Sequence, residues 1–234
     1  YGDSSLKVDT KPDRTPVSEA DRAAETAIRD VLRRHFPEHG IFGEEQGRAD
    51  GDGRHLWLVD PIDGTKSYVR GYGMFSCQIA LWQDGQVVLG VSDAPAHRER
   101  AWAVRGQGAW LDGERVRVSD VSALADATIS TGNLRSLAQG DGWDRLGRVF
   151  AECGRTRGYG DYYHYHRLAA GQLDAVVESD VNILDIAALS VIVEEAGGVF
   201  TDLQGRALTL DTTSVLAATP ALHATLLGRL QATA

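Results

Sequence analysis

Cysteine is scarce in this chain: Cys77 and Cys153 are the only two among 234 residues. They give neither a disulfide framework nor the paired spacing of a zinc site, and a reducing cytoplasm is the expected setting. Cys77 lies in an apolar, strand-like run and reads as a small buried hydrophobe. Proline is also sparse, at six residues, which together with 43% hydrophobic content indicates a folded globular chain. No apolar run approaches the ~18 residues of a membrane span. No signal-peptide pattern opens the sequence, and its start at Tyr1 rather than Met reads as a trimmed or renumbered product. Positive charge is in deficit, with 24 Lys and Arg against 33 acids and a net charge of -9. That argues against a nucleic-acid or anionic-membrane partner, which calls for a basic patch. Repeats, long linkers, Gly-x-Ser-x-Gly elbows and Gly-x-Gly-x-x-Gly loops are all missing.

What is present is carboxylate, placed where chain elements end. Leu56-Trp-Leu-Val-Asp60-Pro-Ile-Asp63-Gly-Thr65 runs from a buried strand into two acids, a glycine and a hydroxyl. Pro61-Ile62 is not expected to continue the strand, so the Ile62 carbonyl can turn inward as an oxygen ligand. Two acids so placed can share one hard cation or bridge two. Gly64 permits close approach of a ligand, and the Gly64 and Thr65 amides can face an anion. An exposed strand–turn would explain Asp-Gly alone, but not the whole ordered set.

Residues 1–17 read as a polar loop. Ser18 caps a helix in which Ala24, Ala27, Ile28, Val31 and Leu32 follow helical spacing as far as Phe36, and Pro37 stops it. Asp21 in its first turn suits the helix dipole. Gly40–Gly43 is a short strand that delivers Glu44 and Glu45, and 48–54 a polar loop. Phe75–Trp82 and Val87–Val91 flank an Asp84-Gly85 hairpin turn, and Ala101–Arg105 and Val116–Ser119 add strands. The second half alternates: strand from Ala127, helix from Trp143, helix over Tyr162–Ala170, strand Leu173–Glu178, helix Asp185–Ala196, strands at Val199 and Val215, and a final helix. The class is α+β, one domain over 1–234 with lobes expected at 1–120 and 121–234.

Glu44, Glu45, Asp60, Asp63 and Asp185 have no basic neighbour in sequence, and oxygen-only ligands select Mg²⁺, Mn²⁺ or Ca²⁺ over zinc. Gly43-Glu-Glu45, Asp60-Pro-Ile-Asp-Gly-Thr65 and Leu184-Asp185-Ile-Ala-Ala, closing on Glu194-Glu-Ala-Gly-Gly198, follow one another in that order. They resemble the three signatures of the inositol monophosphatase family, from about Lys11 to near the C-terminus. The resemblance implies a layered αβαβα sandwich of the inositol monophosphatase and sugar phosphatase type, and a lithium-inhibited phosphatase using two or three Mg²⁺ ions, with Mn²⁺ as substitute. It implies metal ligation by Glu44, Asp60, the Ile62 carbonyl, Asp63 and Asp185, catalysis by Asp21, Thr65 and Glu44, and phosphate binding by the Gly64 and Thr65 amides. Glu45 is equally a structural acid. Homodimers are common in that family. Its long N-terminal helix ahead of the Lys11 region is lacking here, and Leu184 stands where the family has tryptophan.

Arg157-Gly-Tyr-Gly160-Asp161-Tyr-Tyr-His-Tyr165 is the remaining distinctive stretch. It lies where inositol phosphatases carry small residues, and Asp161 adds a charge that favours an ammonium-bearing substrate over a neutral polyol. With Lys11–Asp21, the Asp63–Gly71 run and Ser92-Asp-Ala-Pro95, it resembles the histidinol-phosphate phosphatase branch of the family. On that resemblance Arg157, Asp161, Glu178 and Asp185 are the substrate candidates, each also open to an ordinary structural role. His164 and His166, two apart on a helix, do not share a face, and a structural role is expected. The expected partner is a small phosphate ester. Inositol monophosphate or another sugar or nucleotide phosphate is the alternative substrate. An aspartyl-phosphate mechanism would need Asp-x-Asp, which is not the spacing here, and a degenerate metal-binding homologue would have lost some of these residues.

Overall fold

The structure, a computed structural model, describes residues 8–10 and 16–231. The reading of 1–17 as a loop therefore lies partly outside the described residues. Where it can be compared it is corrected: β1 (Val8–Thr10) and β2 (Pro16–Ser18) form an antiparallel pair. Helix α1 (Glu19–His35) follows as expected, acidic in its first turn and basic in its last, so both ends complement its dipole.

An eight-stranded sheet comes next. Its strands are β3 (Gly40–Gly43), β4 (Gly47–Ala49), β5 (His55–Asp63), β6 (Ser76–Gln83), β7 (Gln86–Ala94), β8 (Glu99–Val104), β9 (Ala109–Leu111) and β10 (Glu114–Val116). The spatial order is β10-β9-β8-β7-β6-β5-β3-β4, antiparallel except for the β3–β5 pair. β4 occupies part of the stretch expected to be a loop. It is only three residues long, and the sequence there carries no apolar alternation to announce it. The Asp84-Gly85 and Asp112-Gly113 turns have positive φ at both residues (50° and 88°, 50° and 85°), the conformation a two-residue hairpin requires. Between β5 and β6 a five-residue helix, α2 (Thr65–Val69), starts at Gly64.

The second sheet has the order β12-β11-β13-β15-β14. It comprises β11 (Thr128–Thr131), β12 (Arg155–Arg157), β13 (Ala175–Ser179), β14 (Val199–Thr201) and β15 (Ser214–Ala218). The helices of this half are α3 (Leu134–Gln139), α4 (Trp143–Glu152), α5 (Asp161–Ala169), α6 (Ile183–Glu195) and α7 (Pro220–Gln231). Helices α5 and α6 fill the space between the sheets. On the outer side of the small sheet, Leu137, Leu146, Val149, Leu222 and Leu226 pack against Ile129, Val177 and Leu216. On the outer side of the large sheet, α1 covers Ile41, Trp57 and Val59. The result is helix, sheet, helix, sheet, helix.

Helix α6 is apolar all round rather than along one stripe. Leu184, Ile186, Ala187, Leu189, Val191, Ile192 and Val193 are all buried, because a helix in the middle layer is covered on every side. Small residues on the facing sheet (Ala80, Ala101, Ala103, Ala109) let it lie close. The approach is tightest at Gly90, where a Cβ would meet the Ala188 carbonyl oxygen at 2.5 Å.

Candidate active site

Strand β5 carries Leu56, Leu58 and Asp60 on the face toward α6, as the two-residue period of a strand requires. The extended chain does not stop at Asp60, contrary to expectation, but runs to Asp63. What Pro61 breaks is the ladder. Asp60 pairs with Gln78 and Asp63 with Ser76, leaving one extra residue on β5. Proline has no N–H to donate, so the break falls where the pairing loses least. The bulge re-aims Asp63 so that both carboxylates serve one cleft. Asp60 accepts the Ile62 N–H at 3.0 Å, which fixes the turn.

Glu44 comes to the same cleft from the neighbouring strand, its N–H bonded to the Val59 carbonyl oxygen at 3.1 Å. Beneath this turn lies a buried ion pair. Glu25 accepts the Glu45 N–H (2.6 Å), the Gln46 N–H (3.1 Å) and Arg29 Nε (2.7 Å), while Arg29 Nη2 donates to the Gly47 carbonyl oxygen. Gly43 is needed here, since a Cβ would sit 2.2 Å from Glu25 Oε1.

Asp185 arrives from the far half of the chain. Helix α6 begins at Ile183, two residues earlier than expected, because Asn182 is its cap. The Asn182 side chain accepts the Leu184 N–H at 2.8 Å, and Asp185 Oδ2 accepts the Asn182 N–H at 2.8 Å, a reciprocal capping box. Asn182 Nδ2 also donates to Asp185 Oδ1 at 2.7 Å. The carboxylate is thereby locked in direction at a helix N-terminus.

Oxygens of Asp60, Asp63 and Asp185 lie within 4.8 Å of one another. Burial, followed by the charges of Glu44, Asp63 and Asp185, pushes the Asp60 carboxyl well above the usual range. Burial, then Asp161 and Asp185, does the same to Asp63. Asp185 is raised to about 7, mainly by burial. Three like charges in so small a space hold protons unless a cation takes their place. An all-oxygen set suits a hard divalent ion. A second group, His39, Asp52 and His55, meets the same distance criterion. Its two rings stack at 4.3 Å and 12°, His39 Nδ1 accepts from Trp57 Nε1, and His55 Nδ1 bonds Asp52 Oδ2 at 2.6 Å. In-plane lone pairs of parallel rings do not converge on one ion, so this is a structural cluster.

Thr65 opens α2 behind Gly64, whose φ of 85° is left-handed and where a Cβ would meet the Met74 carbonyl oxygen at 2.6 Å. Thr65 Oγ1 lies 3.2 Å from Asp21 Oδ1 and 3.0 Å from the Ile62 carbonyl oxygen. Asp21 is fully buried, so α1 delivers it into the interior beside the site.

The cleft has a volume of about 520 Å³ and includes Glu44, Asp60, Ile62, Asp63, Thr65 and Asp185 in its walls. Asp161 stands at its edge, with φ 48° and its carboxyl raised to about 6 by burial and then by Glu178. Glu178 does not reach the main cleft. It lines an adjoining cavity of about 40 Å³, bonded by Tyr165 OH (2.7 Å) and His164 Nε2 (3.1 Å). Arg157 lines neither. It sits on β12 and donates to the Thr156 carbonyl oxygen. Sequence reasoning missed Asn133, Asp180 and Asn182 in the cleft wall. Of these only Asn182 had a readable signal, the Asn-x-x-Asp capping spacing. His164 and His166 are both structural in their contacts, pointing to Glu178 and to Glu99.

A model of the inositol monophosphatase family matches residues 2–233. The chain belongs to that family. A histidinol-phosphatase of Streptomyces coelicolor is 44% identical over 216 residues, covering 86% of this chain and 79% of the relative. The crystal structure of the extragenic suppressor protein suhB from Bartonella henselae superposes with a TM-score of 0.90 at 33% identity, covering 98% of this chain and 90% of that one. An IMPase/NADP phosphatase complexed with Mg²⁺ and phosphate gives a TM-score of 0.86 at 28% identity, over 98% and 87% of the two chains. The layered α+β sandwich is the architecture of these family members, and the protein is a phosphatase.

Proposed function

We propose that this phosphatase hydrolyses L-histidinol phosphate to L-histidinol and phosphate, with Mg²⁺ as cofactor. The observation that carries the chemistry is the triad of carboxylates Asp60, Asp63 and Asp185, the first buried and the other two half-buried, all raised in pKa and built only of oxygen donors. The 44% identity to a histidinol-phosphatase supports the substrate.

Glu44, Asp60, the Ile62 carbonyl, Asp63 and Asp185 would hold the metal. Bound Mg²⁺ supplies charge neutralisation for the phosphoryl oxygens and acidifies the attacking water. Thr65 Oγ1 carries one proton and faces two acceptors. When that proton points to Asp21, the hydroxyl oxygen is free to accept from the water, and Asp21 takes up the proton that Thr65 passes on. The Gly64 and Thr65 amides orient the phosphate. Positioning and electrostatics, rather than covalent help, dominate phosphoryl transfer. At the edge, Asp161 meets the ammonium group of the leaving alcohol, which draws its raised carboxyl into the charged form. Glu178 supports that edge from the adjoining cavity, while Arg157 lies outside both cavities.

The test is phosphate release with Mg²⁺ from histidinol phosphate, inositol 1-phosphate, a nucleotide 3′-phosphate and glycerol phosphate, at equal concentration. Histidinol phosphate is expected to be the fastest by tenfold or more. Equal or faster turnover of inositol phosphate overturns the substrate, and no metal-dependent release from any of them overturns the site. Repeating the assay with lithium is expected to inhibit.

A further inference from the structure

Behind Asp63 a line of buried polar side chains crosses the large sheet. Ser76 Oγ lies 3.3 Å from Asp63 Oδ2. Gln78 Nε2 lies 2.7 Å from Ser76 Oγ and 3.0 Å from Ser92 Oγ. Ser92 Oγ is 2.8 Å from His166 Nε2, and His166 Nδ1 is 2.7 Å from Glu99 Oε1. Ser76, Gln78, Ser92 and His166 are each at most 1% exposed. Two of the steps are between directly opposed strand residues, Asp63 with Ser76 and Gln78 with Ser92. Arg167 Nη2 closes the outer end on Glu99.

Donor chemistry fixes the direction of every bond. The outer end, Glu99, is an ionised carboxylate, and the inner end, Asp63, is one whenever it ligates a metal; in that state both only accept. Burial works to raise the Glu99 carboxyl, but hydrogen bonds from His166 and Arg167 outweigh it and hold it at about 2. His166 Nδ1 must therefore carry a proton. Burial lowers the His166 pKa, so the ring is neutral and Nε2 accepts from the Ser92 hydroxyl. Ser92 then needs a donor, as does Ser76 once its own proton goes to Asp63. The Gln78 amide nitrogen has two protons and gives one to each. Turning that amide over would place its oxygen between the serines, draw both hydroxyl protons away, and leave Asp63 and His166 Nε2 facing lone pairs. The Gln78 oxygen has no partner in the observed orientation, which is the smaller loss.

We propose that Gln78 is the donor node of a positioning network that aims the Ser76 proton at Asp63 and ties the metal-binding strand to α5. Ser76, Gln78, Ser92 and His166 are positioning residues: none lines the cleft. Through His166 the network reaches the helix whose first residue is Asp161, so the metal end and the substrate end of the site share one set of hydrogen bonds. The proposal rests on the reading of Asp63 as a metal ligand.

The experiment measures Mg²⁺ binding by calorimetry on the full chain, for the wild type, Asp63→Asn, Ser76→Ala, Ser92→Ala and the double serine variant. Asp63→Asn tests the metal site itself: unchanged binding there overturns that reading and not the network. Hydrogen-bond partners of metal ligands typically contribute 10–100-fold in affinity. Ser76→Ala is expected to weaken binding about tenfold. Ser92→Ala, two residues removed from Asp63, is expected to weaken it severalfold, the double variant to be no worse than Ser76→Ala, and Ser92→Thr to restore it. Wild-type affinity in Ser92→Ala, or losses that multiply in the double variant, overturns the network. A readout that needs no variant is ¹⁵N NMR of His166. Protonation at Nδ1 with an accepting Nε2 is expected, and the opposite tautomer overturns the assignment even where a serine variant fails to fold.

Discussion

Thr65 Oγ1 stands 3.2 Å from Asp21 Oδ1, and these two residues come from separate elements 44 positions apart. One is fully buried on α1 and the other opens α2 at the cleft. Thr65→Ala removes the hydroxyl that links the cleft to the buried carboxylate. A loss of roughly 10²–10⁴-fold in kcat is expected, the usual range for general base assistance, with Mg²⁺ binding little changed. Thr65→Ser keeps the hydroxyl and is expected to retain most of the rate. Steady-state kinetics beside calorimetry separate the two effects.

Asp60→Asn is expected to move activity and stability in opposite directions. The Asp60 carboxyl is destabilised in its charged form by burial and by Glu44, Asp63 and Asp185. Replacing it with a neutral amide relieves repulsion in the metal-free protein, whose Tm should rise by a few degrees, while Mg²⁺-dependent turnover falls by at least 10²-fold. A drop in the metal-free Tm would contradict the electrostatic account.

Metal and pH are coupled through the same acids. Asp185 is raised from 3.8 to about 7 and Asp161 from 3.8 to about 6, so across that window the folded chain binds more protons than the unfolded one. Stability contributed by these groups is therefore full below pH 4 and is lost as pH rises toward 7. Mg²⁺, held as proposed, would bind the deprotonated acids. The Tm gain on adding saturating Mg²⁺ is expected to be larger at pH 8 than at pH 5, and calorimetric scans at both values check it.

Glu25→Gln breaks a buried ion pair and leaves Arg29 without its anion. Removing one partner of such a pair costs about 3–5 kcal/mol. Because Glu25 also accepts the Glu45 and Gln46 amides, the turn bearing Glu44 is expected to loosen, and Mg²⁺ activation to weaken along with stability. Denaturant unfolding and metal titration report the two losses.

Asp161→Asn is expected to raise KM for an amine-bearing phosphate ester about tenfold and to leave a neutral ester such as glycerol phosphate nearly unaffected. A charge-assisted hydrogen bond contributes about 1.5–3 kcal/mol, and Asp161 is only partly desolvated.

Much of this was legible in the sequence because the signals were local. The carboxylates of 60 and 63, the Asp84-Gly85 hairpin and the α1 periodicity are each encoded within a few residues, and the ordered motifs tied them to a family. What was not legible depended on tertiary partners. The ladder break at Pro61 needed β6 opposite before it could be seen as a bulge rather than a strand end. Short elements such as β4, β12 and α3 have too few residues for a period. Arg157 was a candidate through the resemblance of residues 157–165 to the histidinol-phosphate phosphatases, but it sits on the edge strand β12, and of that pair only Asp161 borders the cleft. Asn182 was the reverse case, with a capping pattern that was readable and not used.

The capping box between Asn182 and Asp185 has a consequence for assembly. Asp60 and Asp185 are separated by more than half of the 234-residue chain. A cation held by both closes a long loop at the point where α6 enters the space between the sheets, much as a cross-link would, and the entropy of that closure grows only with the logarithm of its length. Because Asp185 is already oriented by the first turn of α6, its direction is settled as soon as the helix forms, and what is left is the docking of the two halves. Metal affinity then measures how completely the chain has come together.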